Sequence, residues 1–207
     1  MISGHLFTDR YAIVGNTRME SIMGVLRVTA ATLLFLLSIT KAATGDQTDP
    51  RLENLFIKLK NAEIFSIARS AEHEIWTIWL ERPGEPQVDE AMRRGLRAMR
   101  EAAYADALAA FDDAVRLAPD FAEAWNKRAT VYYLIGDYEK SIADIDRTLA
   151  LEPRHFGALS GLGMIRLALG QKAEALAAYE AGIAIHPFLQ ARGFIDALRQ
   201  EVQGQKI

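Results

Sequence analysis

Three prolines, Pro119, Pro153 and Pro187, stand 34 residues apart in this chain. Each closes the same kind of segment, AVRLAP, TLALEP and GIAIHP. Proline has no amide proton to donate and its ring clashes with the preceding turn, so it ends a helix there. A fixed period of this length marks an array in which one supersecondary unit stacks on the next. One such unit cannot bury its apolar faces alone, so neighbours must pack side by side. The register defines three units, 88–121, 122–155 and 156–189.

Columns recur across the units. Gly95, Ala129 and Gly163 share one position of a first helix, and Ala107, Ser141 and Ala175 one position of a second. Small residues there let the paired helices approach closely. Phe111, Ile145 and Tyr179 are expected to fill the space between adjacent turns, and Leu117, Leu151 and Ile185 to pack at the junction with the following unit.

In the middle unit Trp125, Ala129, Tyr132, Ser141, Ile145 and Pro153, with the loop Ile135-Gly136-Asp137-Tyr138, fall at the spacing of a known signature. The sequence closely resembles the tetratricopeptide-repeat family over about half the chain. The resemblance implies an all-α fold, a right-handed α-solenoid of antiparallel helix pairs ending in a capping helix. Departures from the pattern are Ala91 where Trp125 stands, Arg166 where Tyr132 stands, and Gly182 inside a helix, the last costing about 1 kcal/mol relative to alanine. Arg94 and Arg128 occupy a column that commonly holds leucine. A variant of the family pairs that arginine with an aspartate on the second helix, which predicts an Arg128–Asp144 ion pair.

Upstream, Leu52, Leu55, Phe56 and Leu59, then Ile64, Ile67, Ala71, Ile75, Ile78 and Trp79, mark two amphipathic helices before the breaker Arg82-Pro83-Gly84-Glu85-Pro86. Pro83 precedes Pro119 by 36 residues, so segment 51–87 resembles a degenerate repeat with a small insertion. Its Trp76 and Trp79 either pack as core against the first full repeat or offer a partner an aromatic patch. Downstream, residues 190–207 carry Phe194, Ala197, Leu198 and Val202 on one helical stripe, a cap for the open end of the array.

The first 43 residues read as an address. Val28–Thr40 is an uncharged apolar run between Arg27 and Lys41, shorter than the roughly 20 residues of a membrane span. It fits a secretory signal cleaved after Ala42 or Ala43, with translation starting at Met1, Met19 or Met23, and residues 44–50 as a linker. The expected location is periplasmic or secreted; an uncleaved run would anchor the protein to a membrane. The junction EPRHFGALSGLG and the two-tryptophan helix resemble small exported repeat proteins of Gram-negative, alphaproteobacterial-like bacteria.

The formal net charge of −3 argues against a nucleic-acid partner, which calls for a basic face. Without cysteine there is no disulfide, thiolate metal site or cysteine nucleophile. His73-Glu74 is followed by Thr77 where a zinc helix needs its second histidine. Gly161-Leu162-Gly163 lacks a preceding strand and a third glycine, Arg166 standing in its place. Ser160 follows Ala158, not the glycine of a nucleophile elbow. His155 and His186, beside turn prolines, read as structural. No catalytic residue, cofactor or metal is expected.

What the family resemblance implies instead is a concave groove lined by the first helix of each repeat. By position it presents Arg93, Leu96, Met99 and Arg100 from the first repeat, Asn126, Lys127, Thr130 and Tyr133 from the second, and Ser160, Met164 and Leu167 from the third. Such a lining suits a protein or peptide partner with apolar side chains and an acidic or C-terminal carboxylate group. Met99, Met164 and Leu167 have packing against a neighbour as their alternative role. The competing expectation is a structural or self-assembling envelope protein that joins copies through the N-terminal hairpin or the C-terminal helix.

Overall fold

A repeated helix-ending geometry sets the array. At the end of the first helix of each repeat, the amide of Ala103, Asp137 or Gln171 donates to the carbonyl five residues back, Ala98, Tyr132 or Arg166, at 2.9, 2.9 and 2.8 Å. These bonds satisfy carbonyls the helix leaves orphaned, and they require a left-handed residue just before the donor. Gly136 and Gly170 supply it with φ of 81° and 73°; in the first repeat the residue is Ala102, at φ 55°.

The computed structural model describes residues 46–82 and 84–204. The leader with its apolar run and cleavage site, Pro83 and the last three residues lie outside the described residues. Helices α1 (Arg51–Lys60) and α2 (Phe65–Leu80) form the N-terminal hairpin. The three repeats follow as α3 (Pro86–Arg100) with α4 (Tyr104–Leu117), α5 (Ala122–Leu134) with α6 (Tyr138–Leu151), and α7 (Phe156–Ala168) with α8 (Lys172–Ile185). A 3-10 turn (Gln190–Gly193) leads into α9 (Ile195–Gly204). The described residues contain no strand, and none of their helices is long and apolar enough to cross a membrane.

The small columns do what their spacing predicts. A Cβ built on Gly95 would lie 2.5 Å from the Phe111 ring, and one on Gly163 2.6 Å from Tyr179. In the middle repeat Ala129 takes that place and the facing residue is the smaller Ile145. Ser141 stays in the small column by donating its hydroxyl to the Ala129 carbonyl at 2.7 Å inside the core. The expected Arg128–Asp144 pair forms with both nitrogens at 2.7 Å, and Asp112 of the preceding repeat takes a third bond at 2.7 Å.

The junction packing differs from expectation by one residue. Leu117 is exposed, and the buried residues are the next ones along, Ala118, Glu152 and His186. Each of these three donates its amide to the carbonyl four residues back as its helix closes, which turns the chain inward at that point. The last helix closes the array as predicted, though its buried stripe is Ile195, Leu198 and Val202 against Ala175 and Tyr179. Ala197 is exposed, and Phe194, just before the helix, lies edge-on to Tyr179 at 5.3 Å.

The N-terminal hairpin forms around Leu52, Phe56, Leu59, Ala71, Ile75, Ile78 and Trp79, while Ile64 and Ile67 are exposed. Its placement is not that of a repeat stacked ahead of α3. The hairpin core is continuous with Phe156, Ile185, Phe188 and Leu189, and α1 packs on α8 and α2 on α5. The two tryptophans are thus core, but against the second and third repeats and not the first.

Candidate protein-binding groove

The helices α5 and α7 pack directly on each other, so the first helices form the inner layer of the array and the second helices its outer layer. Across the inner layer's N-terminal ends runs the hairpin. It meets the same repeat position three times. Asp120 receives the Arg82 guanidinium at 2.9 Å, Arg154 reaches Glu53 at 3.0 Å and lies 4.2 Å over Phe56, and Phe188 meets Phe65 at 6.1 Å between ring centres. Positions 120, 154 and 188 are spaced by the repeat length. Gln47 adds a fourth tie, donating to the Asp120 carbonyl and accepting from the Ala122 amide.

One buried polar cluster organises this contact. Glu123, wholly buried on the first turn of α5, places one oxygen 2.8 Å from Lys127 Nζ. Its other oxygen accepts from Asn126 Nδ2 at 2.9 Å and meets His155 Nε2 at 2.9 Å. His155 Nδ1 accepts the Ala158 amide and so caps α7. That assigns the ring proton to Nε2, which donates to Glu123. Burial works against the Glu123 charge, yet the Lys127 ammonium, and then His155, hold its carboxyl at about 2. Oε2 thus has two hydrogen-bond donors, while Oε1 has the Lys127 ammonium at ion-pair distance and no further hydrogen-bond partner among the described residues; a buried charge is tolerated when paired in this way.

The tryptophans close over the cluster. Trp79 stacks on His155 with ring centres 4.1 Å apart and planes 8° from parallel. Its buried Nε1 finds no acceptor among the described residues. Trp76 lies beneath Lys127, whose Nζ is 5.0 Å from the ring centre, and edge-on to Phe156 at 5.4 Å. It fits because residue 157 is glycine: a Cβ there would come within 2.6 Å of the indole. His186, at the repeat position of Glu152, accepts from the Phe188 amide at 3.3 Å and faces Glu72 at 3.4 Å.

The groove residues inferred from the sequence therefore divide. Asn126 is buried and bound to Glu123, and Lys127 is engaged by Glu123 and Trp76, so neither points freely into the groove. Thr130 turns its hydroxyl to the Asn126 carbonyl at 2.9 Å. Leu96 and Met99 are half-buried against the first repeat's core, and Leu167 packs against the C-terminal cap. Met164 is 44% exposed and Leu134 46%. Tyr133 is half-buried, stacked 5.9 Å from Tyr138. Arg93 and Arg97 share Glu90, and Arg100 makes no ion pair among the described residues. The hairpin covers the first turn of α5, whereas Leu134, the last residue of α5, and Met164 of α7 are exposed. No group of metal-binding side chains occurs among the described residues.

A family model described as tetratricopeptide repeat matches residues 92–150 and 128–189. A TPR repeat-containing protein of Rhizobium etli is 39% identical over 137 residues, covering 66% of this chain and 67% of that protein. This chain is a tetratricopeptide-repeat protein. The Hsp70-Hsp90 organizing protein of Triticum aestivum is 35% identical to this tetratricopeptide-repeat chain over 99 residues, 48% of the chain but 17% of the wheat protein. Among solved structures, the Sgt2 TPR domain from Aspergillus fumigatus superposes with a TM-score of 0.52 at 26% identity, over 58% of this chain and 82% of that one. The TPR2B domain of yeast Sti1, solved as a complex with pHsp70, gives 0.51 at 20% identity over 57% and 98%. That likeness concerns the fold.

Reasoning from sequence alone missed Glu123, Gly157 and Gln47. The position of Glu123, three residues before Asn126 and four before Lys127 on one helix face, was the available signal, since such spacing pairs side chains locally. Nothing in the sequence marked Gly157 as the seat of an indole.

Proposed function

We propose that this tetratricopeptide-repeat protein holds a segment of a partner protein in the open half of its inner face. The observation that carries the reading is the exposure of Leu134 on α5 and Met164 on α7, on first helices that also carry half-buried Tyr133 and Leu96 and exposed Arg93 and Arg100. Helices that expose large apolar side chains together with cations suit an extended or helical segment, with most of the affinity from a few large side chains. Several similar proteins have names or titles that concern Hsp70 or Hsp90, which supports peptide capture as the kind of activity without naming the partner. The role is that of an interaction module, not an enzyme.

We also place the protein outside the cytoplasm, on the strength of the apolar run Val28–Thr40 and its small-residue flank. Cell fractionation tests this; recovery of the full-length chain in the cytoplasm alone contradicts it. The binding reading is tested by in-cell crosslinking with wild type, Tyr133→Ala and Met164→Ala. The account expects the variants to keep the circular dichroism spectrum and lose the crosslinked partner. Undiminished crosslinking by both variants removes the groove from the mechanism.

A second reading has its own observation. Ile57, Ile64, Phe65 and Ile67, at the tip of the hairpin, are 40–56% exposed, a patch suited to a second copy of the chain. Sedimentation equilibrium separates the two: a monomer at high concentration ends this reading.

A further inference from the structure

The N-terminal hairpin passes over its covalent neighbour. It runs into α3 through residues 81–85. Yet among the described residues no hydrogen bond or ion pair joins α1 or α2 to α3 or α4, and the cores of the hairpin and of the first repeat are separate clusters. Between them lies an open depression of about 320 Å³, with Leu80 on one side and Met92 and Leu96 on the other. The residues that hold the hairpin, Asp120, Lys127, Arg154, His155 and Gly157, all follow α4 in the chain.

The link that keeps this arrangement within one chain turns on a single residue. Gly84 takes φ of 92°, the left-handed side that glycine favours, and no atom lies within 4 Å of where its Cβ would stand. Around it the sequence favours extension, because Arg82 and Glu85 each precede a proline, which disfavours helical backbone at both. The bonds that span the hinge are those of Arg82 with Glu85: Nε donates to the carboxylate at 2.9 Å, and the Glu85 amide donates to the Arg82 carbonyl at 3.2 Å. An extended hinge gives up these two bonds and leaves the hairpin's own contacts as they are, wherever a seat is in reach. That seat is selective. Trp76 needs the glycine at 157, and Trp79 needs the His155 ring that Glu123 holds. A second copy of the chain carries the same seat.

From the bypassed repeat and the glycine-dependent hinge, we infer that this chain forms a reciprocal dimer by exchange, the hairpin of each copy lying on α5, α7 and α8 of the other. This interface goes beyond the groove reading and is a different contact from the exposed tip at Ile57, Ile64, Phe65 and Ile67. Exchange between two copies closes on itself, so it stops at the dimer. A short linker holds a hairpin over its own seat at an effective concentration on the order of millimolar, so the dimer forms where copies are crowded and grows when the hinge resists closing.

The test uses two differently tagged full chains made in the same cell, one carrying Glu53→Cys and the other Arg154→Cys. The chain has no cysteine of its own. These two side chains meet across the seat at 3.0 Å, and both keep surface open to a reagent. A short bis-maleimide is added to the cells, and the crosslinked products are separated by tag. The inference predicts a mixed product in excess of either self-product. Valine at position 84 meets no atom but disfavours the closed hinge, so Gly84→Val in both chains should raise the mixed product by about tenfold or more. A chain carrying both cysteines must crosslink internally, which shows that the reagent spans the pair; if it gives neither an internal nor a paired product, the hairpin does not lie on the seat and the inference falls. If that internal product forms, a mixed product no greater than the self-products, with and without Gly84→Val, overturns the exchange. A dimer in sedimentation combined with that result is the tip contact instead, and the groove reading stands in either case.

Discussion

The ring of Trp79 lies flat on His155, 4.1 Å away, joining the second helix of the N-terminal hairpin to the turn that opens the third repeat. Those residues are 76 positions apart, and their contact is why the hairpin behaves as a strap across the array. Trp79 is 1% exposed, so its removal leaves a large cavity. Trp79→Ala should cost about 3–5 kcal/mol in urea unfolding, as a buried aromatic truncation does. Trp79→Phe should cost much less, because the buried indole N–H has no acceptor among the described residues to lose. Equal losses for the two variants would mean that the stacking surface is not what matters.

Glu123 links the strap to acid. Its carboxyl is held at about 2, below an ordinary value of 4.5. A depressed carboxyl contributes stability that is complete above the unfolded value and disappears as pH falls through the folded one. The contribution should therefore be intact above about pH 5 and decline between there and pH 2, by on the order of 3 kcal/mol at about 1.4 kcal/mol per unit. Unfolding free energies across that range check it. Glu123→Gln should be less stable than wild type at pH 7 and show a shallower fall toward acid. Parallel pH profiles for the two proteins would show that the Glu123 charge is not coupled to folding.

Ala102 holds the left-handed position that Gly136 and Gly170 hold in the other repeats. A Cβ in that conformation crowds the following carbonyl, at a cost of roughly 1–2 kcal/mol that glycine avoids, offset in part by glycine's greater freedom in the unfolded chain. Ala102→Gly should therefore stabilise the protein by about 0.5–1 kcal/mol, raising the thermal midpoint. Gly136→Ala should lower it. A midpoint that falls in the first variant would place the strain elsewhere.

Gly95 and Gly163 each accept an aromatic ring where a methyl group would stand 2.5–2.6 Å from it. Because Phe111 and Tyr179 are themselves buried, the rings cannot swing into solvent, and Gly95→Ala and Gly163→Ala should each cost about 1–3 kcal/mol despite alanine's better helix propensity. Gly161→Ala, whose added methyl would sit 3.6 Å from Ile145, is the control and should be neutral or stabilising.

The parts legible in the sequence were those repeated every 34 residues. The three helix pairs, the Gly95, Ala129 and Gly163 column and the Arg128–Asp144 pair follow from comparing one repeat with the next. The strap is present once, so comparison offered no register for it. Its two tryptophans were visible as apolar residues, but their partners His155 and Gly157 lie in another repeat, and nothing local separates docking there from stacking on α3. The same gap misplaced Asn126 and Lys127. Their positions face the groove by family geometry, and only the buried Glu123 and the indole of Trp76 withdraw them. The junction column held in part, since Ile185 packs against the hairpin core while Leu117 is exposed, and the fully buried residues stand one place later, at Ala118, Glu152 and His186.

The position of the strap is measured most directly by nuclear Overhauser contacts from the two hairpin indoles in the full chain. The account predicts cross-peaks from the Trp76 six-membered ring to the Gly157 α-protons and from Trp79 to the His155 ring. Contacts from those indoles to α3 residues such as Met92, with none to residues 155–157, would mean that the hairpin stacks as a fourth repeat and that the groove is open along its whole length.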